Sequence, residues 1–173
     1  MAAASPPIEG PSRVKPKLAP DWFDRLLSGA SLVLLAAIGI ALFRGAQEWG
    51  EVPPIIWAHI ATIVTATSLT PVMLLRRRGD RLHRQLGWVW VAAMMLTAAS
   101  TFGIREINGG TLSWIHLLSA WTLIQVPLIV WAARTHRVEQ HRKAVRGIVA
   151  GALIIAGAFT FPPFRLFGQW LYG

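Results

Sequence analysis

The sequence predicts an all-α integral membrane protein with five transmembrane helices, and three observations support this fold class. First, 54% of the 173 residues are hydrophobic and only 14% are charged, whereas soluble domains carry about 25% charged residues. Second, five long stretches of the chain contain no charged residue. Third, lysine and arginine are concentrated in alternate connections between those stretches, as expected when the connections lie on alternate sides of a bilayer.

The five uncharged stretches are each long enough to cross the hydrocarbon core of a membrane, which takes about 20 residues of α-helix. None of them shows the polar stripe that a soluble helix presents to water. They cover residues 26–43, 53–75, 85–104, 111–133 and 147–164. The first is expected to be retained as an anchor because it is of span length and no convincing cleavage site follows it. Together they predict a single membrane domain over residues 21–173, and no stretch contains Asp or Glu.

The basic residues predict that the N-terminus lies in the cytoplasm. In that orientation fourteen of the seventeen Lys and Arg residues are cytoplasmic, and only Arg44, Arg105 and Arg165 lie outside. The net charge of +9 then faces the anionic inner leaflet of a bacterial inner membrane, and the C-terminus lies in the periplasm. Lipid therefore explains the basic charge without a nucleic-acid partner. Residues 1–20, rich in Pro, Ala and Ser, are expected to form a flexible cytoplasmic tail.

The chain contains an internal repeat of one helical hairpin. Each copy has a Trp-x-His motif, a proline eleven or twelve residues after that histidine, a His-Arg pair, and an arginine at the end of the following helix. The first copy contains Trp57, His59, Pro71, His83, Arg84 and Arg105, and the second contains Trp114, His116, Pro127, His141, Arg142 and Arg165. Both copies run from outside to inside and back, which makes them parallel repeats. Helices two to five are thus expected to form a four-helix bundle, with helix one peripheral.

The repeat places four histidines in two layers. His59 and His116 lie about one turn inside the outer ends of helices two and four, while His83 and His141 lie at the cytoplasmic ends of helices three and five. Two imidazoles on opposed helices are the ligand set of a bis-histidine b-type haem. Because the chain has no Cys, iron–sulfur clusters, thiolate zinc sites and covalently attached haem are excluded. The alternative for each histidine is a hydrogen bond to a neighbouring helix.

Small and basic residues near the histidines complete the candidate site. The small residues that would leave room for a flat macrocycle are Ala120, Gly87, Gly147 and Gly151. The arginines that would pair with haem propionates or with an anionic electron donor are Arg84, Arg142, Arg105 and Arg165. The alternatives are helix packing for the Gly147-x-x-x-Gly151 motif, and lipid phosphate binding or helix-end anchoring for the arginines.

These features favour a membrane haem protein that transfers electrons. Haem b is expected on the outer pair, His59 and His116. Whether the inner pair, His83 and His141, binds a second haem or lies at an interface that binds lipid headgroups is left open. Whether such a protein is an oxidoreductase or only an electron carrier is left open, and a quinone or a small anionic donor is a candidate partner. The alternative function is a non-enzymatic membrane scaffold, or a subunit that binds lipid or quinone. A divalent-metal site is disfavoured because two histidines would lack carboxylate or thiolate partners.

The sequence also resembles a known family. The run Arg-Arg-Gly-Asp-Arg-Leu-His-Arg-Gln-Leu-Gly-Trp at residues 77–88, with His59, His116 and the His141-Arg142 pair, resembles small bacterial integral membrane proteins described only as a domain of unknown function. The resemblance covers helices two to five. The layout of helices and histidines, though not the sequence, is similar to that of the transmembrane di-haem cytochromes b, which include ascorbate-reducible and superoxide-oxidising types. That similarity implies one haem between helices two and four and another between helices three and five.

Overall fold

The computed structural model describes residues 19–104 and 114–173, and within those ranges every regular element is helical. The expected all-α fold class is thereby confirmed. Among the residues described, four helices are long and apolar enough to cross a membrane, and they are Trp22–Arg44, Pro54–Leu75, Arg81–Gly103 and Ile115–Arg134. These helices give the chain the character of a membrane protein.

The helices follow one another with short connections. In chain order they are α1 (Trp22–Arg44), α2 (Pro54–Leu75), α3 (Arg81–Ser100), α4 (Trp114–Arg134), α5 (Val138–Ile148), a π-helical segment (Val149–Ile155), α6 (Ala156–Ala158) and α7 (Leu166–Tyr172). Short 3-10 turns lie at Ala46–Glu51 and Thr101–Gly103.

The residues at the helix starts explain where several of these helices begin. Asp21 and Asp24 form a capping box at the start of α1, Pro54 is the first residue of α2, and Asp80 caps α3.

The last uncharged stretch, predicted as a helix over 147–164, differs most from its expected boundaries. The helical run begins at Val138, in the charged connection, and continues through α5, the π segment and α6 to Ala158. The predicted start at residue 147 is too late, because it marks only where the charged residues end. The charged residues of α5 are themselves helical. The run ends before residue 164 because Pro162 and Pro163 cannot donate the backbone hydrogen bonds of a helix.

The long helices pack in chain order. α2 contacts α1 and α3, α3 contacts α4, α4 contacts α5, and the π segment contacts α1, α2 and α4. Two hydrophobic clusters lie one above the other in this bundle. One includes Leu27, Leu74, Trp90, Ile129 and Val149, and the other includes Leu34, Ile38, Ile60, Phe167 and Trp170. α1, expected to be peripheral, supplies residues to both clusters and therefore takes part in the core along its length.

The short helix α7 covers one end of the bundle. The ring of Trp170 lies against the backbone of Gly45, where an added Cβ would stand 2.1 Å from the indole. Only glycine permits this approach. The indole Nε1 also donates to the Glu48 carboxylate at 2.9 Å. We call this the α7 end, and we call the other end, which holds the α2–α3 and α4–α5 connections, the arginine-rich end.

Candidate functional site

A cavity of about 560 Å³ lies at the arginine-rich end, between α3 and α5. Its wall includes His83 and Gly87 of α3, and His141 of α5. Arg84 and Arg142, which follow the two histidines in sequence, also border it. This volume is within the range of about 300–1,000 Å³ for small-molecule and cofactor sites. The structure therefore brings the predicted inner pair of histidines to one cavity, together with three of the neighbouring residues expected to accompany them.

The hydrogen bond of His141 defines which ring nitrogen can act as a ligand. Its Nδ1 lies 3.0 Å from the backbone carbonyl oxygen of Ile129, on α4. A carbonyl only accepts, so Nδ1 carries the proton and the lone pair of the neutral ring is on Nε2. A ligating histidine commonly donates its other N–H to a carbonyl, and that bond orients the ring. His141 is thus already in the tautomer that coordinates a metal through Nε2.

His83 lies in the first turn of α3. Its backbone N–H donates to Asp80 Oδ1 at 2.6 Å, which fixes the start of the helix and the position of the residue. The ring Nδ1 is buried and has no hydrogen-bond partner within the described ranges. A buried polar nitrogen without a partner costs free energy, and a ligand in the cavity would supply what the protein does not.

Arg84 and Arg142, two of the four arginines at the described wall of this cavity, differ in how many of their donors are committed. Arg142 is 9% exposed and pairs with Asp21 at 2.6 Å and with Asp24 at 3.3 Å. Arg84 is exposed and donates one Nη1–H to the carbonyl oxygen of Gly79 at 2.7 Å. A guanidinium has five N–H groups, so Arg84 retains donors for an anionic group. Arg142 instead belongs to the protein's own ion pairs.

Those ion pairs form a cluster that the sequence analysis missed. Asp24 is fully buried and bonds Arg78 at 2.7 Å and Arg146 at 2.9 Å, in addition to Arg142. Asp21 pairs with Arg142 and Arg146. The hydrogen bond from Arg146 holds the pKa of Asp21 well below its usual value, and the bond to Asp24 raises the pKa of Arg146. We call these five residues the charge cluster.

The charge cluster had a recognisable signal in the sequence. Asp21-x-x-Asp24 directly before an apolar run is the pattern of an acidic capping box. Because the first stretch was started at residue 26, both carboxylates were placed outside it. α1 begins at Trp22, so Asp24 lies in the first turn of a helix long enough to cross a membrane.

The predicted outer pair of histidines lies at the α7 end in a different arrangement. His59 borders a smaller cavity of about 130 Å³, and its Nδ1 is 2.9 Å from Ser100 Oγ. His116 is 5% exposed, and its ring packs on Phe102 with centroids 5.6 Å apart. It is not among the described residues that border the small cavity. A space of this volume is well below that of cofactor sites.

The remaining small residues expected near a macrocycle do not border either cavity. Ala120 is half-buried on α4. Gly147 is exposed and Gly151 half-buried, and a Cβ added to either would meet nothing within 4 Å. Neither glycine is therefore required for a close helix contact in the described structure. Of the four small residues, Gly87 alone lies at a cavity wall among the described residues.

Of the two arginines predicted at the outer helix ends, the structure describes Arg165 but not Arg105. Arg165 is half-buried at the α7 end, where its guanidinium lies 5.7 Å from the centre of the Phe164 ring. Its Nε is buried without a hydrogen-bond partner in the described part of the chain. Arg105 lies outside the described residues, as do residues 1–18 of the predicted tail.

Within the described ranges, no three residues among His, Cys, Asp and Glu lie close enough to hold a metal ion together. Comparison with known proteins gave no match to a family model, to a curated protein or to a solved structure.

Proposed function

We propose that this chain is a membrane-embedded b-type haem protein that transfers electrons, with its haem at the arginine-rich end between His83 and His141. The observation that carries the proposal is the cavity of about 560 Å³ with a histidine from each of two helices at its wall. We favour the inner pair of histidines because both border the larger cavity, whereas His59 borders only the small one and His116 is not among the described residues at its wall. Haem on His59 and His116 stays a prediction that the experiment below also tests.

The residues around the cavity support this role in distinct ways. The carbonyl oxygen of Ile129 holds His141 in the tautomer that ligates through Nε2, while burial of the His83 ring leaves one nitrogen in need of a partner. Arg84 has spare donors for a propionate, and Gly87 leaves the wall of α3 open beside His83. Bound haem would supply one-electron redox chemistry, and the protein would supply ligation, burial and nearby charge.

We further propose that the chain crosses a bacterial inner membrane five times, with the arginine-rich end in the cytoplasm. Four crossings are the helices long enough to span. The fifth consists of the last residues of α5, the π segment, α6 and the turn that follows, because no charged residue lies between Arg146 and Arg165. Pro71 and Pro127 lie inside α2 and α4, which supports a parallel repeat of two helical hairpins.

Visible spectra of the purified protein test the proposed site. Protein expressed in haem-replete cells and purified in detergent is expected to show low-spin b-type bands that sharpen on reduction. The double variant His83→Ala, His141→Ala is expected to lose these bands, whereas His59→Ala, His116→Ala retains them. His136→Ala is the matched control, because this exposed residue borders the same cavity outside the proposed ligand pair. A colourless, folded wild-type protein would contradict the proposal.

A lipid-binding function is the second candidate, favoured by the arginines at the mouth of the same cavity. Arg84 and Arg134 are exposed there beside apolar wall residues such as Trp88 and Val130. This combination also suits a phospholipid, with phosphate on the guanidinium groups and acyl chain in the cavity. Wild-type protein that is colourless but retains phospholipid after extensive detergent washing, and loses it in an Arg84→Gln, Arg134→Gln variant, would favour this function.

A further inference from the structure

The small cavity at the α7 end has a wall of polar and apolar residues. The polar residues of the described wall are His59, Thr97, Thr101, Ser119, Thr122 and Thr160. Five of these six belong to α2, α3, the following 3-10 turn and α4. Apolar residues from the same three helices, from α1 and from the last helical run line the same space, among them Ile60, Met94, Leu118, Leu34 and Ala156. A ligand in this space therefore needs an apolar body with a few polar atoms.

Three of the wall hydroxyls donate their protons within the protein. Thr122 Oγ1 donates to the carbonyl oxygen of Leu118 at 2.8 Å, and Thr160 Oγ1 donates to that of Gly157 at 2.6 Å. Thr97 Oγ1 donates to Thr62 Oγ1 at 2.8 Å, and Thr62 in turn donates to a backbone carbonyl of its own helix. Each hydroxyl has one proton, so these three present only lone pairs to the cavity.

The hydroxyls of Thr101 and Ser119 and the imidazole Nδ1 of His59 also donate their protons within the protein. Thr101 Oγ1 lies 2.7 Å from the Ala98 carbonyl oxygen and 2.7 Å from Ser119 Oγ, so the protons of both hydroxyls have acceptors inside the protein. Ser100 Oγ donates to the Thr97 carbonyl oxygen at 2.8 Å. It must therefore accept from His59 Nδ1–H, which leaves the lone pair of the neutral ring on Nε2.

This hydrogen-bond arrangement makes the polar groups of the described wall a set of acceptors without formal charge. An anion or an oxidised quinone carbonyl would bring further acceptors and find no donor among these groups. A ligand that donates O–H protons would pair with them directly. From this we infer that the small cavity binds a single-ring hydroxylated aromatic group, such as a phenol or the head group of a quinol.

The size of the cavity agrees with that ligand class. An engineered apolar protein cavity of roughly 150 Å³ binds benzene, and the space here is about 130 Å³. Water is the competing occupant, but each buried water takes about three hydrogen bonds, and most residues of the described wall are apolar. An aromatic ring would contact those apolar residues while its hydroxyl donates to one of the acceptors. The inference does not depend on haem at the arginine-rich end.

Fluorine NMR with two probes of nearly equal shape tests this site. Detergent-purified wild-type protein is titrated with para-fluorophenol and with para-fluorotoluene, which lacks the hydroxyl, and micelles alone serve as the blank. We expect saturable binding of the phenol at one site per chain, roughly tenfold tighter than the toluene, as one hydrogen bond to a buried acceptor would give. Equal binding of the two probes would overturn the inference, since the acceptors would then play no part.

Two matched variants locate the binding. Ala156→Phe fills the cavity and is expected to abolish phenol binding, whereas Ala158→Phe adds the same side chain at an exposed position two residues along and leaves binding intact. Gel filtration verifies that each variant is folded. Absence of saturable phenol binding to folded wild-type protein, or undiminished binding in folded Ala156→Phe, would also contradict the assignment. The wild-type comparison of the two probes decides the question even if the filled variant does not fold.

Discussion

Single side chains determine which of the four histidines suit a cofactor. The spacing of the histidines in the sequence predicts their two layers. Which ring nitrogen can act as a ligand depends instead on hydrogen bonds that the spacing does not reveal. For His141 the partner is the carbonyl oxygen of Ile129, twelve residues earlier on another helix. For His59 it is Ser100, forty-one residues away. These contacts depend on how each helix is rotated about its own axis. The spacing of the histidines in the sequence does not determine that rotation.

Replacement of Arg84 by Gln tests the predicted propionate partner. We expect the haem to stay bound but its midpoint potential to fall by tens of millivolts, since loss of a nearby cation disfavours the added electron; about 59 mV corresponds to tenfold for one electron. A redox titration followed in the visible spectrum measures the change. Arg81→Gln is the control, because Arg81 is exposed on the same helix and does not border the cavity. Equal shifts in both variants would show that general charge, not proximity, is responsible.

Whole elements are held together at the arginine-rich end by the charge cluster. It joins the start of α1 to the α2–α3 connection through Arg78, and to α5 through Arg142 and Arg146. From the sequence, Arg78 and Arg146 are interpreted only as part of the cytoplasmic positive charge, and Arg142 also as a candidate partner of a haem propionate. A count of charges per loop cannot reveal that Asp24 lies buried among them.

Replacement of Asp24 by Asn is expected to destabilise the protein strongly. It removes the carboxylate shared by three guanidinium groups, and breaking a buried ion pair typically costs about 3–5 kcal/mol. Thermal unfolding in detergent measures the loss. Glu139→Gln removes an exposed carboxylate whose contact with Lys143 is 4.0 Å, and its effect should stay below about 1 kcal/mol. Similar losses in the two variants would contradict a structural role for the charge cluster.

Low pH should weaken the ion pairs by which Asp21 attaches the start of α1 to α5. Because Arg146 lowers the pKa of Asp21 in the folded protein, the unfolded chain binds the proton more tightly. The stabilising contribution is therefore fully present above the usual carboxylate pKa of about 4, and it is lost as the pH falls below that value. Unfolding temperatures measured from pH 6 down to pH 3 should fall less steeply for Asp21→Asn than for wild type. A variant at the exposed Glu51 provides the comparison, and unchanged steepness in Asp21→Asn would refute the expectation.

The molecule as a whole was predictable in class but not in the placement of its cavities. The apolar composition and the uncharged stretches are enough to predict an all-α chain with long membrane-type helices. A bilayer requires that backbone groups form their hydrogen bonds within the protein and that few residues are charged. The last helical run was misplaced, since α5 begins within charged sequence and a π segment follows it. The space beside His83 and His141 is larger than the space beside His59, and the periodicity of the sequence does not predict that difference.

The ratio of haem to protein chain tests the central claim most directly. It is measured by converting extracted haem to its pyridine complex, in wild-type protein and in the two double histidine variants. A single haem at the arginine-rich end predicts a ratio near one in the wild type, near zero in His83→Ala, His141→Ala, and unchanged in His59→Ala, His116→Ala. A ratio of zero in folded wild-type protein, or haem lost only from the His59 and His116 variant, would contradict it.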